Sequence, residues 1–299
     1  MDYKMNYYEL EPEENTFKTL VVDITHKCNM ECANCYIPNR DIPDMDLDRL
    51  YDLAKRLPRR TEFRLMGGEP TMHKDLPDII STLRTLGHRP TILTNGLRLG
   101  NLDYCKTLKN AGLHSLNISL NGADDDNIYV ITDELKCAER KMKALRNVVS
   151  LNMFININCI IQKGVSEPVP GRLIDIFQNE LNYPGVLRFR NVGQIGRFSL
   201  GKEDNYTFDE LIEFMGKVTG KDPDWIRQWK QVEGYDEEHN VLFPLDETKK
   251  RSTQWIKITD WSPSLSDIPD PNSIRRGRIT QDFKLAPFFE HVKENEFGY

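Results

Sequence analysis

The sequence lacks long apolar runs and any excess of basic charge. No apolar stretch approaches the ~18 residues that a membrane-spanning helix needs, and the formal net charge of the 299 residues is -6. Proteins that bind nucleic acid through a broad basic face need clustered Lys and Arg to neutralise phosphates. Residues 1–15 are acidic and aromatic, unlike a secretory or transit peptide. We therefore expect a cytoplasmic protein that binds neither membranes nor nucleic acid.

Cysteine is scarce outside one short segment. The sequence has six cysteines, no second CxxC pair, no HxxxH pair and no cysteine after Cys159. Cys105, Cys137 and Cys159 stand alone in segments with helix or strand character, where a single cysteine is usually a small buried apolar residue. Structural zinc sites usually draw on two separated pairs of ligands. A zinc knuckle completed by His26 or His73 is therefore the less favoured interpretation of the other cysteines.

These other cysteines, Cys28, Cys32 and Cys35, form a CxxxCxxC motif directly after the apolar run 20–24. Thiolates so close together select soft metals or iron-sulfur clusters. Three ligands leave one metal position without a protein ligand, and chemistry can take place at such an open position. The motif therefore predicts a metal or cluster site on a loop that leaves a strand.

A second motif, Gly67-Gly68-Glu69-Pro70, follows another apolar run. Together the two motifs resemble the radical S-adenosylmethionine (SAM) superfamily, whose members hold a 4Fe-4S cluster by CxxxCxxC and bind SAM with a GGEP-like turn. Thr94-Asn95-Gly96 and Ser119 are most similar to the branch that contains the molybdopterin cyclase and the peptide-modifying maturases. The resemblance covers about residues 17–197 and implies an α/β fold, the partial (β/α)6 barrel with parallel strands. It also implies reductive cleavage of SAM to a 5'-deoxyadenosyl radical, which abstracts hydrogen from a substrate.

Alternating apolar and amphipathic segments support this architecture. Strands are predicted at 20–24, 62–66, 91–94, 115–120, 153–161 and 186–191. Helices are predicted at 47–57, 76–86, 102–111, 134–149, 172–181 and 208–218. Active sites of parallel βα folds lie at the carboxyl ends of the strands, where both motifs fall. The predicted division is an N-terminal segment 1–16, a barrel 17–218 and a C-terminal extension 219–299 that covers the barrel mouth.

The resemblance assigns contacts to the cluster and to SAM residue by residue. The three motif cysteines would ligate a single cluster, and Gly67, Gly68, Glu69 and Pro70 would form the turn that holds the methionine ammonium, with Glu69 as its ion-pair partner. The other predicted SAM contacts are Asn95, Ser119, Asn121, Asn158, Val192 and Tyr36.

At three of these positions the sequence departs from the family pattern or leaves a second interpretation open. Asn121 stands where many relatives have an acid. Asn34 stands where the family often has an aromatic residue, so Tyr36 is expected to pack against the adenine, with a surface tyrosine as the alternative. For Asn158 the alternative is a polar residue satisfied within the sheet.

Substrate recognition is expected in the extension. All four tryptophans fall between residues 225 and 261, and such a cluster is more often core than pocket. Residues 254–259 predict one more strand. The basic segment 275–278 is expected to be either a solvated loop or an anchor for a phosphate or carboxylate of the substrate. The predicted substrate contacts are Asp260, Trp261, Arg275, Arg276 and Arg278.

Three functional interpretations are open at this point. The first is a radical SAM enzyme that acts on a small molecule and takes its electron from a donor such as flavodoxin or ferredoxin. The second is the same chemistry on a ribosomally made peptide, by epimerisation or crosslinking. The third is a non-catalytic zinc-binding protein. The first is favoured because the sequence shows no obvious leader-peptide-binding domain and its extension is compact.

Overall fold

The computed structural model describes residues 8–33, 35, 37, 40–192, 205–229, 240–246, 253–260 and 275–288. Ten strands form one sheet within this part of the chain. They are β1 (Thr19–Thr25), β2 (Glu62–Gly67), β3 (Arg89–Thr94), β4 (Ser115–Ser119), β5 (Phe154–Ile160), β6 (Gly185–Arg190), β7 (Asn240–Pro244), β8 (Gln254–Thr259), β9 (Arg276–Ile279) and β10 (Leu285–Pro287).

The sheet has the order β10-β9-β1-β2-β3-β4-β5-β6-β8-β7. All neighbouring pairs from β9 to β8 are parallel, and only the edge strands β10 and β7 are antiparallel to their neighbours. The two edges do not pair with each other, so the described sheet is open. The predicted α/β fold with parallel strands is confirmed, and the open sheet fits a partial barrel.

Helices connect the strands. They are α1 (Leu47–Arg56), α2 (Leu76–Thr85), α3 (Leu102–Asn110), α4 (Asp126–Asp133), α5 (Ala138–Ser150), α6 (Pro168–Asp175), α7 (Phe208–Thr219) and α8 (Pro223–Arg227). A π-helical turn, Ile176–Leu181, continues α6. Among the described residues, every helix is too short or too polar to span a bilayer.

The six predicted barrel strands and the strand at 254–259 are confirmed, with ends that shift by a residue or two. The helix predicted at 134–149 starts later, because Glu134 adopts a left-handed conformation (φ 53°) that ends α4. The helix predicted at 172–181 starts earlier, at Pro168, because a proline in the first turn needs no hydrogen-bonded N–H. The sequence pattern does not predict α4, α8, β7, β9 or β10.

Side chains alternate along each strand between two faces. One face packs against the helices and supplies the main core, which includes Leu20, Phe63, Leu116, Ile157 and Phe189. The opposite, inner face carries a small apolar cluster of Val21, Met66, Leu93 and Phe288. Charged and amide side chains occupy most of the other inner positions, so the inner face is the polar side of the sheet.

The basic segment is not a solvated loop, and this alternative is wrong. Residues of β9 pair in parallel with β1, and Arg276 stands opposite Thr19. The pairing satisfies the backbone edge of β1, which would otherwise be exposed. Gly277 permits the close approach, since a Cβ there would lie 2.3 Å from Cδ2 of Phe17.

The tryptophans described by the structure belong to the fold. Trp225 and Trp229 pack against the main core, with ring centroids 5.5 Å apart. Trp225 also contacts Phe243 of β7, and Trp229 contacts Trp255 of β8. The prediction that this cluster is mainly core is confirmed for these residues. Trp261 lies outside the described residues.

Candidate functional site

The cysteine loop begins at the carboxyl end of β1. Cys28, Cys32 and Cys35 are free thiols of intermediate exposure. The Cys35 N–H donates to the Cys32 carbonyl at 3.2 Å, and the Ala33 N–H donates to the Thr132 carbonyl of α4 at 3.1 Å. These bonds hold three thiols within one short loop and tie that loop to a helix.

The GGEP turn at the end of β2 lies directly against this loop. The Gly68 N–H donates to the Thr25 carbonyl at 2.8 Å, and the Glu69 N–H donates to the Lys27 carbonyl at 2.8 Å. Gly67 has φ +117°, and a Cβ there would lie 2.1 Å from the Thr25 oxygen. A Cβ on Gly68 would lie 2.4 Å from a carbonyl oxygen of the cysteine loop. Glycine is therefore required for the two motifs to meet.

Glu69 is a buried hub at this junction, with 1% exposure. Its carboxylate accepts hydrogen bonds from the Thr71 N–H and hydroxyl, the Thr94 hydroxyl and the Asn95 N–H, at 2.6–3.0 Å. Burial raises the pKa of Glu69, while these hydrogen bonds oppose the rise. The carboxylate thus joins the ends of β2 and β3. Its negative charge also adds to the rise in the pKa of the Cys28 thiol that burial causes.

A buried ion pair lies behind Cys32, and sequence reasoning did not identify it. Lys141 is 0% exposed, lies 3.9 Å from the Asp133 carboxylate and donates to the Ser119 carbonyl at 3.0 Å. Asp133 also accepts from the Asn121 amide at 3.3 Å and from the Cys32 thiol. Burial and the nearby carboxylate both raise the pKa of Cys32. The available signal was a lysine at an otherwise apolar position of α5.

Arg40 approaches the cysteines from another direction. Its Nη2 donates to the Cys35 sulfur at 3.5 Å and to the Met30 carbonyl at 3.3 Å. Burial raises the pKa of Cys28, and the positive charge of Arg40 works against that rise. The motif pattern gives no reason to select Arg40, because it lies outside the CxxxCxxC spacing.

An apolar wall lies next to the loop. Met30, Leu97, Tyr129, Cys137 and Ala138 form a separate buried cluster against which Cys28 and Cys32 pack. The Tyr129 ring also faces the Lys141 ammonium at 4.8 Å. This wall shields one side of the thiols from water.

Two of the predicted SAM contacts already have protein partners. The Asn121 side chain donates to Asp133 and accepts from the Ile160 N–H at 3.1 Å. The Val192 N–H donates to the Asn205 side chain at 3.1 Å, and the Val192 carbonyl accepts from it at 2.8 Å. These polar groups therefore hold the ends of β5 and β6 in place.

Two other predicted SAM contacts, Asn158 and Asn95, have polar side chains near the cysteine loop or without a partner among the described residues. Asn158 stands beside Ser119 across β5 and β4. The Asn158 Nδ2 is buried without a hydrogen-bond partner among the described residues, and such a donor needs an explanation. The Asn95 amide lies 4.0 Å from the Cys28 sulfur and donates to Asn29. Tyr36 and Asn34 lie outside the described residues.

The inner face of the sheet carries several arginines below this rim. Arg64 on β2 and Arg278 on β9 both stand opposite Val21 of the intervening β1. Arg64 pairs with Glu62 at 2.8 Å, yet its Nε is buried without a partner among the described residues. Burial lowers the pKa of Arg64, and Arg276 adds to the effect.

The predicted substrate residues that the structure describes lie on or beside two different strands. Arg276 and Arg278 lie on β9, with Arg278 buried on the inner face, while Arg275 is exposed just before the strand. Asp260 follows β8 and accepts from the Asn191 amide at 2.6 Å. In the sheet order β9 and β8 stand on opposite sides of the barrel strands. Trp261 lies outside the described residues.

The donor set fits an iron-sulfur cluster. Three soft donors, the glycine cradle and the buried Asn158 amide together fit a cluster with SAM beside it.

Residues 22–169 match the family model of the radical SAM superfamily. The matched span begins within β1, extends past β5 and includes both motifs, Glu69 and the pair of Asp133 and Lys141. The protein thus contains a radical SAM superfamily domain. Members of this superfamily are enzymes that use a 4Fe-4S cluster and SAM.

Individual relatives extend the match beyond this domain. The chain is 25% identical over 293 residues to 7,8-dihydro-6-hydroxymethylpterin dimethyltransferase of Methanocaldococcus jannaschii, covering 91% of this chain and 55% of the relative. It is 27% identical over 210 residues to a probable GTP 3',8-cyclase of Saccharolobus islandicus, covering 68% of this chain and 66% of the relative. The chain thus spans between about half and about two thirds of the length of these relatives.

A solved structure shows the same fold. SuiB of Streptococcus suis bound to its precursor peptide SuiA superposes with a TM-score of 0.64 at 16% identity, covering 94% of this chain and 62% of SuiB. SuiB bound to S-adenosylmethionine superposes with a TM-score of 0.57 at 15% identity, covering 95% of this chain and 64% of SuiB. The likeness covers much more of the chain than residues 22–169, so the fold similarity extends past the matched domain.

Proposed function

We propose that this protein is a radical SAM enzyme of the CxxxCxxC and GGEP type, with a single 4Fe-4S cluster held by Cys28, Cys32 and Cys35. It would act in the cytoplasm on a small molecule and receive its electron from a carrier such as flavodoxin or ferredoxin. The observation that carries the proposal is the direct contact between the two motifs. Two backbone hydrogen bonds of 2.8 Å join the GGEP turn to the start of the cysteine loop, where no Cβ would fit.

The bound cluster and SAM would together supply a 5'-deoxyadenosyl radical that abstracts hydrogen from the substrate. The residues of this chain bind and orient both groups. Glu69 fixes the turn for the methionine ammonium, and the buried amide of Asn158 is available to a polar group of SAM. The wall that includes Met30 and Tyr129 covers one side of Cys28 and Cys32.

The inner face supports an anionic small molecule as the substrate. Arg64 and Arg278 flank Val21, at two strand spacings or about 9–10 Å from each other. Their guanidinium groups lie on the face where a substrate of a partial barrel would bind, and this group matches phosphates and carboxylates bidentately. The names of two relatives, a GTP cyclase and a pterin methyltransferase, also favour a small molecule.

The chemistry is tested by a pair of cysteine variants. Cys32→Ala should lose the cluster and SAM cleavage together, because it removes a ligand. Cys105→Ala is the control: its thiol is buried and donates to the Leu99 carbonyl at 3.1 Å, outside the cysteine loop. This control should keep both properties. Full release of 5'-deoxyadenosine by Cys32→Ala under dithionite would contradict the assignment.

The substrate is tested with the loaded enzyme. Metabolites separated by anion exchange are added to the loaded enzyme, with controls exchanged into deuterated solvent. Stimulation of 5'-deoxyadenosine release is measured in each case. Stimulation by an anionic fraction, with a raised KM in Arg278→Gln, is the expected result. Stimulation only by a ribosomally made peptide would instead favour the epimerisation or crosslinking alternative.

A further inference from the structure

Arg40 lies against the cysteine loop. Its guanidinium donates to the Cys35 sulfur at 3.5 Å, and its positive charge also acts on Cys28. The same group is tied to the loop by its bond to the Met30 carbonyl at 3.3 Å. One planar cation therefore contacts both the third cysteine of the CxxxCxxC motif and the backbone between the first two.

The guanidinium has further donors in this position. Its Nε and Nη1 are buried and make no hydrogen bond within the part of the chain that the structure describes. Buried donors without a partner need an explanation. Three thiolates and the sulfides of a cluster would supply acceptors and negative charge next to Arg40. The geometry is therefore better suited to the loaded loop than to three neutral thiols.

We propose that Arg40 is a positioning residue that donates N–H···S hydrogen bonds to the cysteine-bound cluster and makes its one-electron reduction easier. The inference rests on the proposed function. In the step concerned, one electron passes from an external reductant to the cluster, which changes from the 2+ to the 1+ state, and the reductant is oxidised by one electron. The added negative charge is stabilised by a fixed cation and by hydrogen bonds to sulfur, both of which set cluster potentials.

The test is a redox titration of the loaded protein without SAM, followed by visible absorbance and electron paramagnetic resonance. Arg40→Met should shift the midpoint to more negative potential. At a fixed potential the ratio of reduced to oxidised cluster should fall at least threefold, which is about 30 mV at 59 mV per tenfold. Arg40→Lys, which keeps the charge and loses the planar fork, should show a smaller shift.

Arg56→Met is the matched control, because Arg56 pairs with Glu11 and Glu13 on the surface and does not contact the cysteines. It should keep the wild-type midpoint. A loaded Arg40→Met protein with the wild-type midpoint would overturn the proposal. Folded Arg40→Met and Arg40→Lys proteins that both fail to load would also overturn it, since Arg40 would then only hold the loop.

The same measurements separate this inference from the proposed function. A wild-type protein that takes up no iron and sulfide would overturn the proposed function and the role of Arg40 together. A loaded wild type that cleaves SAM, combined with an unshifted Arg40→Met midpoint, would overturn only the role of Arg40.

Discussion

Gly68 shows at the scale of one residue why the two motifs depend on each other. Its N–H bonds to the Thr25 carbonyl, and the space for a side chain is filled by the carbonyl oxygens of His26 and Lys27, each 2.4 Å from an ideal Cβ. These are backbone atoms, which cannot move aside without moving the cysteine loop. The residue therefore fixes the distance between the predicted cluster ligands and the predicted SAM turn.

Gly68→Ala should weaken SAM binding to the loaded protein by about tenfold or more, which corresponds to about 1.4 kcal/mol. The reason is that an added methyl group must separate the turn from the loop. Binding is measured by anaerobic titration calorimetry. Gly100→Ala is the control, because a Cβ there would have only one neighbour, at 3.4 Å. Equal SAM affinity of Gly68→Ala and wild type would contradict this account of the junction.

At the scale of elements, the pair of Asp133 and Lys141 joins α4 to α5 behind the cysteine loop. Both side chains are almost completely buried, and the lysine also bonds to the end of β4 through the Ser119 carbonyl. Removal of one partner leaves an uncompensated buried charge, which is far more costly than removal of the whole pair.

Lys141→Met should therefore lower the free energy of unfolding by about 3–5 kcal/mol, as measured by urea denaturation of the cluster-free protein. The double variant Asp133→Asn with Lys141→Met should recover much of this loss, since no charge then remains buried. A loss of less than about 1 kcal/mol in the single variant, the range of exposed pairs, would show that the pair does not stabilise the fold as described.

The C-terminal strand β9 depends on a second glycine contact. Gly277 lies against the buried ring of Phe17, with 2.3 Å between an ideal Cβ and Cδ2. Gly277→Ala should destabilise the protein by about 1–3 kcal/mol, the usual cost of overpacking. The double variant Phe17→Leu with Gly277→Ala should be less affected by the added methyl group. Urea denaturation checks both, and a neutral Gly277→Ala would indicate that β9 is not packed on β1 in this way.

At the scale of the whole molecule, the sheet was predictable where its strands are apolar. The strand at 254–259 alternates large apolar residues and was found at its predicted bounds as β8. The strand β9 was read as loop or anchor because Arg276 and Arg278 occupy its inner positions, and a charged inner face has no apolar pattern. Its place beside β1 depends on a contact with Phe17 far away in sequence.

The candidate site, like the sheet, could be predicted from the sequence only in part. The cysteines and the GGEP turn could be predicted because their chemistry fixes residue type and spacing. Arg40, Asp133 and Lys141 could not, because their roles depend on which buried groups the fold brings to the thiols. All the predicted cluster, SAM and substrate contacts stay predictions, and Tyr36 and Trp261 lie outside the described residues.

The central claim is that the cysteine loop and the GGEP turn form one site for a cluster and SAM. The most direct measurement is the electron paramagnetic resonance spectrum of the anaerobically reconstituted, dithionite-reduced protein, recorded with and without SAM. We expect a reduced 4Fe-4S signal that changes when SAM is added, because SAM would bind at the iron that lacks a cysteine ligand. A colourless protein with bound zinc, or a cluster signal that SAM leaves unchanged, would contradict the claim.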